Sequence, residues 1–167
     1  KADNTKIEVI GGEGQEAWVD GTNYSADLKL DPGLTHEAQG YRIEVSPKNA
    51  SNKDYFLNII QGNDADSESD VYTPELIENA SCVGVVLDDK VTLFKTEYGR
   101  SDKEVSFNLP EGEYDIHVAD NVAGKWSVYK NGNLVETVVA TEDGGLLSFA
   151  GTGGSYRITY AGNETIQ

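Results

Sequence analysis

The most regular chemistry-bearing group in this sequence is acidic. Asp64-Ala-Asp-Ser-Glu-Ser-Asp70 sets carboxylates at Asp64, Asp66, Glu68 and Asp70. Calcium binds through several oxygens at once, and a flexible acidic loop can supply them. Glu75 falls at the twelfth position counted from Asp64, where an EF-hand loop carries its bidentate ligand. Ser69 stands where such a loop needs glycine, and no helical pattern flanks it. Calcium is thus the one cation the sequence raises, against the plainer reading of a solvated loop. No cofactor is required.

Aromatic side chains are the second group. Sugar rings stack their apolar faces on Trp or Tyr, with polar neighbours for the hydroxyls. Trp126 follows Gly124-Lys125 and Trp18 precedes Asp20-Gly21, so both sit near strand ends. Tyr129 adjoins a hairpin tip, and Tyr98 and Tyr24 have loop-like neighbours. These five are the sugar-contact candidates, Trp126 first; the plainer alternative for each is packing. Cys82 lies in the apolar run Cys82-Val-Gly-Val-Val-Leu87 and reads as a small buried hydrophobe. Being alone, it allows no intrachain disulfide. Gly11-Gly-Glu-Gly14 and Gly151-Thr-Gly-Gly154 lack the Gly-Lys-Ser/Thr of a phosphate loop and read as turns.

The elements that must position these groups are strands. Apolar residues alternate at Tyr41, Ile43 and Val45, at Val105, Phe107 and Leu109, at Tyr114, Ile116 and Val118, and at Tyr156, Ile158 and Tyr160. Period two puts one side-chain set on each sheet face. Strands are expected at residues 6–10, 17–19, 41–46, 53–61, 75–78, 82–87, 91–96, 104–109, 114–119, 125–130, 134–140, 146–149 and 155–160. Segment 53–61 is apolar on both faces, with Tyr55, Leu57 and Ile59 against Phe56 and Ile60. It reads as a central strand paired with 41–46 through the Pro47 turn. Residues 74–83 also fit a helical stripe, but a strand is preferred.

Turn chemistry separates these strands. Asn131-Gly132 suits a type I′ hairpin, which needs positive φ at both central residues. Asp88-Asp89 makes another tight hairpin, Pro110-Glu-Gly112 suits a type I turn, and Glu142–Gly145 and Gly151–Gly154 read as reversals. The expected fold is all-β, an antiparallel β-sandwich of roughly ten or more short strands in one domain spanning residues 1–167.

The wording of one stretch adds a resemblance. Gly40-Tyr-Arg-Ile-Glu-Val-Ser-Pro47, followed by Lys53-Asp-Tyr-Phe-Leu-Asn-Ile-Ile-Gln61, resembles the C-terminal β-sandwich of heparinase II/III-like polysaccharide lyases, including alginate-lyase relatives. Lys6–Gly12 and Gly14–Tyr24 upstream, and Thr141–Phe149 and Gly153–Tyr160 downstream, look like its flanking segments, so the likeness spans nearly the whole chain. The resemblance implies a non-catalytic domain whose partner is the catalytic part of the same precursor, an extracellular or periplasmic setting, and polysaccharide as the wider ligand class.

Uronate elimination needs a base, a proton donor and a group that neutralises the carboxylate. His36 lies in a polar loop and His117 stands beside Asp115 on the wetter strand face. Nothing brings either together with a tyrosine and an arginine, so no catalytic residue is assigned. Charge narrows the partners further. The net charge is -16, from 29 acidic and 13 basic residues, with no Lys/Arg cluster. Nucleic acid is not an expected partner. No apolar run approaches the ~20 residues of a membrane-spanning helix, so no membrane insertion is expected. Two other readings stay open: an autonomous carbohydrate-binding module, and a surface protein that assembles when residues 1–10 join a neighbour's sheet.

Overall fold

The computed structural model describes residues 4–12, 15, 17–24, 41–64 and 71–162. The described residues form eleven strands and no helix: β1 (Thr5–Gly11), β2 (Trp18–Val19), β3 (Thr22–Asn23), β4 (Tyr41–Pro47), β5 (Glu75–Glu78), β6 (Cys82–Leu87), β7 (Lys90–Lys95), β8 (Val105–Val118), β9 (Gly124–Lys130), β10 (Asn133–Ala140) and β11 (Leu147–Gly162). The protein is all-β, and among the described residues all strand pairs but β7–β8 are antiparallel. Its contacts divide it into two units, residues 1–56 and 57–167.

In the first unit, β1 and β4 pair antiparallel over seven residues, from Thr5 opposite Pro47 to Gly11 opposite Tyr41. Their period-two patterns combine. Ile7, Val9, Tyr41, Ile43 and Val45 share one face; Lys6, Glu8, Arg42 and Glu44 share the other. Asn4 closes the open end: its carbonyl accepts from Lys48 N–H, and its side-chain oxygen accepts from Asn49. Residues 5–11 are therefore already paired within their own chain. β2 and β3 form a small hairpin turned at Asp20 and Gly21, both at positive φ.

Segment 53–61 corrects an expectation. It forms no strand, β4 takes β1 as its partner instead, and Tyr55, Phe56, Leu57, Ile59 and Ile60 are all exposed. Two-sided apolar character therefore does not make this segment central. Tyr41 and Ile43 are exposed as well, so the 41–61 stretch is not a core element in this chain.

The second unit is one seven-stranded sheet in the order β10-β9-β11-β8-β7-β6-β5. Two long strands carry it. Residues 104–109 and 114–119, read from sequence as separate strands, are one continuous β8; residues 146–149 and 155–160 are one continuous β11. Pro110–Gly112 and Gly151–Gly154 are not reversals. They face each other across the β8/β11 ladder, which runs from Leu147 opposite Val118 to Ile158 opposite Val105, with a register shift between Thr152 and Gly154.

That shift changes which side chains face inward. Val105, Phe107 and Leu109 are buried, and then Ile116 and Val118; on β11, Leu147 and Phe149 are buried, and then Tyr156 and Ile158. Each strand changes phase at the irregularity, as a β-bulge allows, and all these residues join one core cluster. A Cβ on Gly153 would sit 2.0 Å from the Pro110 carbonyl oxygen, so the two backbones meet there as only glycine permits.

The sheet folds over on itself at this bend. Past it along β11, that strand pairs with β9 through Tyr156–Gly162; past it along β8, that strand pairs with β7 through Asp115–Val118. Lys95 of β7 and Trp126 of β9 show the result. On a flat sheet three strand spacings, roughly 14 Å, would separate their strands. Yet the Lys95 Nζ lies 4.2 Å from the Trp126 ring centroid. The first half of β8 acts as the crossover that lets its second half run parallel to β7. The core between the two layers includes Leu93, Val105, Ile116, Trp126, Leu147 and Ile158, all fully buried.

Candidate functional site

Trp126, the first sugar-contact candidate, is fully buried. Its Nε1 donates to the Val122 carbonyl at 3.1 Å, Tyr160 packs on it at 5.2 Å, and the Lys95 ammonium covers its ring. No ring face is left for a saccharide, and this overturns the expectation. Alternation with the buried Val128 already placed Trp126 on the inner face. Trp18 and Tyr24 are exposed on the β2–β3 hairpin. Trp18 lies opposite Asn23, and the Tyr24 N–H donates to the Ala17 carbonyl, so the two side chains leave on alternate faces. Tyr98 is exposed in the loop after β7. Of the acidic run only Asp64 is described, and it is exposed; Asp66, Glu68 and Asp70 lie outside the described residues, as does His36. Among the described residues no group of three or more His, Cys, Asp or Glu could hold a metal ion.

Tyr129 leads to the better site. The Arg157 guanidinium lies over its ring at 4.2 Å and also meets Glu104 at 3.4 Å. Arg157 stands between the buried Tyr156 and Ile158 on β11, so alternation directs it outward. A groove of about 850 Å³ opens beside it, lined by Leu76, Asn79, Ser106, Asn108, Tyr156 and Arg157 among others. Asn79 builds its rim: the side-chain amide donates to the Ser106 carbonyl at 2.9 Å, and its oxygen accepts from Ser81 N–H and Oγ, both at 2.8 Å. Phe107 and Tyr156 stack beneath at 5.1 Å and 8°. Apolar surface at Leu76 together with amide, hydroxyl and guanidinium groups suits a polar ligand with an apolar face. Sequence reading missed Arg157 and Asn108; their outward phase on β11 and β8 was the available signal.

A second cleft of about 500 Å³ at the bend contains Asp89, Glu113 and Asp115. Lys90 occupies its charge, with Nζ 2.5 Å from Asp115 and 3.1 Å from Asp89. The lysine's hydrogen bond holds the Asp115 carboxyl below its ordinary range. His117 is half-buried opposite Ser148, whose Oγ lies 2.9 Å from its Nδ1.

Two inner groups are unusual. Lys95 is buried, and its ammonium donates to the Ser101 and Lys103 carbonyls at 2.7 and 2.8 Å. Burial lowers its pKa to about 8, opposed by the nearby charges of Asp102, Asp120 and Glu97. Cys82 is fully buried, as expected, and burial pushes its thiol pKa up. That is the opposite of an activated nucleophile.

The folded-over sheet and its outer groove define an all-β domain. Residues 76–160, just over half of the chain, match the heparinase II C-terminal domain family, and the chain belongs to that family. It corresponds to the C-terminal part of a larger heparinase-like protein. The matched range spans the seven-stranded sheet from β5 to β11; the 40–61 stretch, whose wording first suggested the family, lies outside it. No curated protein matches the chain.

Proposed function

We propose that this chain is the non-catalytic β-sandwich domain of a secreted heparinase II/III-like polysaccharide lyase that acts on uronic-acid polysaccharides. It packs on the catalytic part of the same polypeptide and helps shape the substrate cleft. The family match over the whole seven-stranded sheet carries this reading. The setting is extracellular or periplasmic, and calcium at residues 64–70 is an accessory rather than a requirement. Lyase turnover is followed as new ultraviolet absorbance from an unsaturated uronate. The 167-residue chain alone is expected to give none, and the complete protein without it is expected to lose heat stability. Turnover by the isolated chain would overturn the reading.

A second reading, an autonomous carbohydrate-binding module, is favoured by the groove at Arg157. A guanidinium held over the Tyr129 ring is positioned to meet a ligand carboxylate or hydroxyl pair. Calorimetry with alginate, glycosaminoglycans and neutral glycans, with and without calcium, tests it. Arg157→Ala is expected to weaken binding about tenfold or more. Silence across the whole panel would end this second reading.

A further inference from the structure

The groove beside Arg157 carries more negative than positive charge. Among its lining residues Arg157 supplies the cation, and Glu78 of β5 lines it as well. Glu104 stands at its edge, held from two sides. Arg157 Nη1 lies 3.4 Å from one carboxylate oxygen, and the Ser106 hydroxyl donates to the other at 3.2 Å. Both glutamates are exposed. Lys103, in the pocket that shares Ala80 and Ser81 with the groove, is itself paired with Glu97 at 3.6 Å. Two carboxylates thus face one guanidinium, in a chain of net charge -16.

Strand register sets the polar floor. Ser155 lies opposite Asn108, and Arg157 opposite Ser106. Each stands beside buried neighbours, Phe107 and Tyr156 among them, so alternation directs all four outward. Opposite residues are about 5 Å apart and alternate ones about 7 Å, a patch that fits one sugar ring. Asn108 and Ser155 are exposed, so a ligand can reach both. A hydroxyl both donates and accepts, whereas an ionised carboxylate only accepts. Two neighbouring hydroxyls can therefore accept from Arg157 and donate to Glu104 in one pose, and both bonds are charge-assisted. A ligand carboxylate would meet the guanidinium beside Glu104, whose like charge opposes it, and would offer Glu78 no proton. A polyuronate repeats that conflict at every residue.

We infer that this groove takes an uncharged, polyhydroxylated saccharide, and that Glu78 and Glu104 exclude the uronate form of the same polymer. The inference rests on the carbohydrate-binding reading above and names its ligand class. Of the two groups that Arg157 is positioned to meet, it selects the hydroxyl pair. The selection works by opposing the wrong ligand as well as by holding the right one.

Two matched pairs of probes test it: alginate and polygalacturonate, each beside its carboxyl-reduced form, in which a primary alcohol replaces the carboxyl group. Calorimetry with the 167-residue chain is run with a chelator, so that no divalent cation bridges carboxylates. At least one reduced polymer is expected to bind about tenfold or more tightly than its parent. The double variant Glu78→Gln/Glu104→Gln changes two exposed side chains and is expected to remove most of that preference. Its far-ultraviolet circular dichroism is expected to match that of the native chain. Binding of either parent at least as tight as that of its reduced form overturns the inference and leaves the carbohydrate-binding reading standing. An unchanged ratio in the double variant overturns it too, because the glutamates then exclude nothing. If neither reduced polymer binds, the inference also fails. The wider reading falls with it only when the full panel of neutral and anionic glycans is silent as well.

Discussion

Lys95 stands third on the buried face of β7, after Val91 and Leu93. Alternation alone placed it there, yet a lysine in that phase reads as an interruption of the pattern. Its ammonium replaces water with two loop carbonyls and the Trp126 ring. Desolvation outweighs these partners, so the folded state binds the proton less tightly than the unfolded chain, about 8 against the ordinary 10.5. The penalty on the charged form is complete below pH 8 and is relieved as pH rises toward the unfolded value. Cys82 and Tyr156, whose pKa values are raised by burial, act in the opposite sense over part of that range. Comparison with Lys95→Met isolates the lysine: the stability of the native protein relative to this variant should increase between pH 8 and 10.5 in urea titrations. A constant difference would mean that the amine is not desolvated. Trp126→Ala should cost about 3–5 kcal/mol, since a large ring is removed from a filled core. Urea unfolding followed by far-ultraviolet circular dichroism measures it. A loss below about 1 kcal/mol would contradict the buried position.

Among the elements, β8 and β11 set the architecture. Each was legible as two alternating halves, because the apolar phase shifts between Leu109 and Ile116 and between Phe149 and Tyr156. A phase shift beside Pro or Gly reads as a turn in a single chain. It reads as a bulge only when two strands share it and remain paired. Two glycines distinguish these cases experimentally. Gly132 has φ of 84° in the Asn131-Gly132 hairpin and open space around it. Gly132→Ala should cost about 1 kcal/mol, the strain of a left-handed alanine. Gly153→Ala would drive its Cβ into the Pro110 carbonyl and should cost roughly 3 kcal/mol or more. Thermal denaturation of the two variants ranks them; equal costs would count against a close backbone crossing at 153. The hairpin was readable because type I′ geometry is local, and both Asn131 and Gly132 have the expected positive φ.

Charge is the leading influence on the molecule taken whole. With 29 acidic and 13 basic residues, the folded state repels itself. Sodium chloride should raise the melting temperature by screening that repulsion. Calcium at matched ionic strength should raise it further if residues 64–70 hold the ion, and Asp66→Asn/Asp70→Asn should remove the increment. Identical curves in the two salts would take calcium out of the proposal.

The all-β class, most strand positions, the burial of Cys82 and the family were all legible in the chain's own residues. Each of these depends on local periodicity, on turn chemistry or on characteristic wording. Three outcomes came from the folded state instead. Four expected strands are two, β4 pairs with β1 while 53–61 forms no strand, and Trp126 lies in the core with Lys95 above it. Those outcomes depend on which strand becomes whose neighbour. Period two says which side chains share a face, but not what will cover that face.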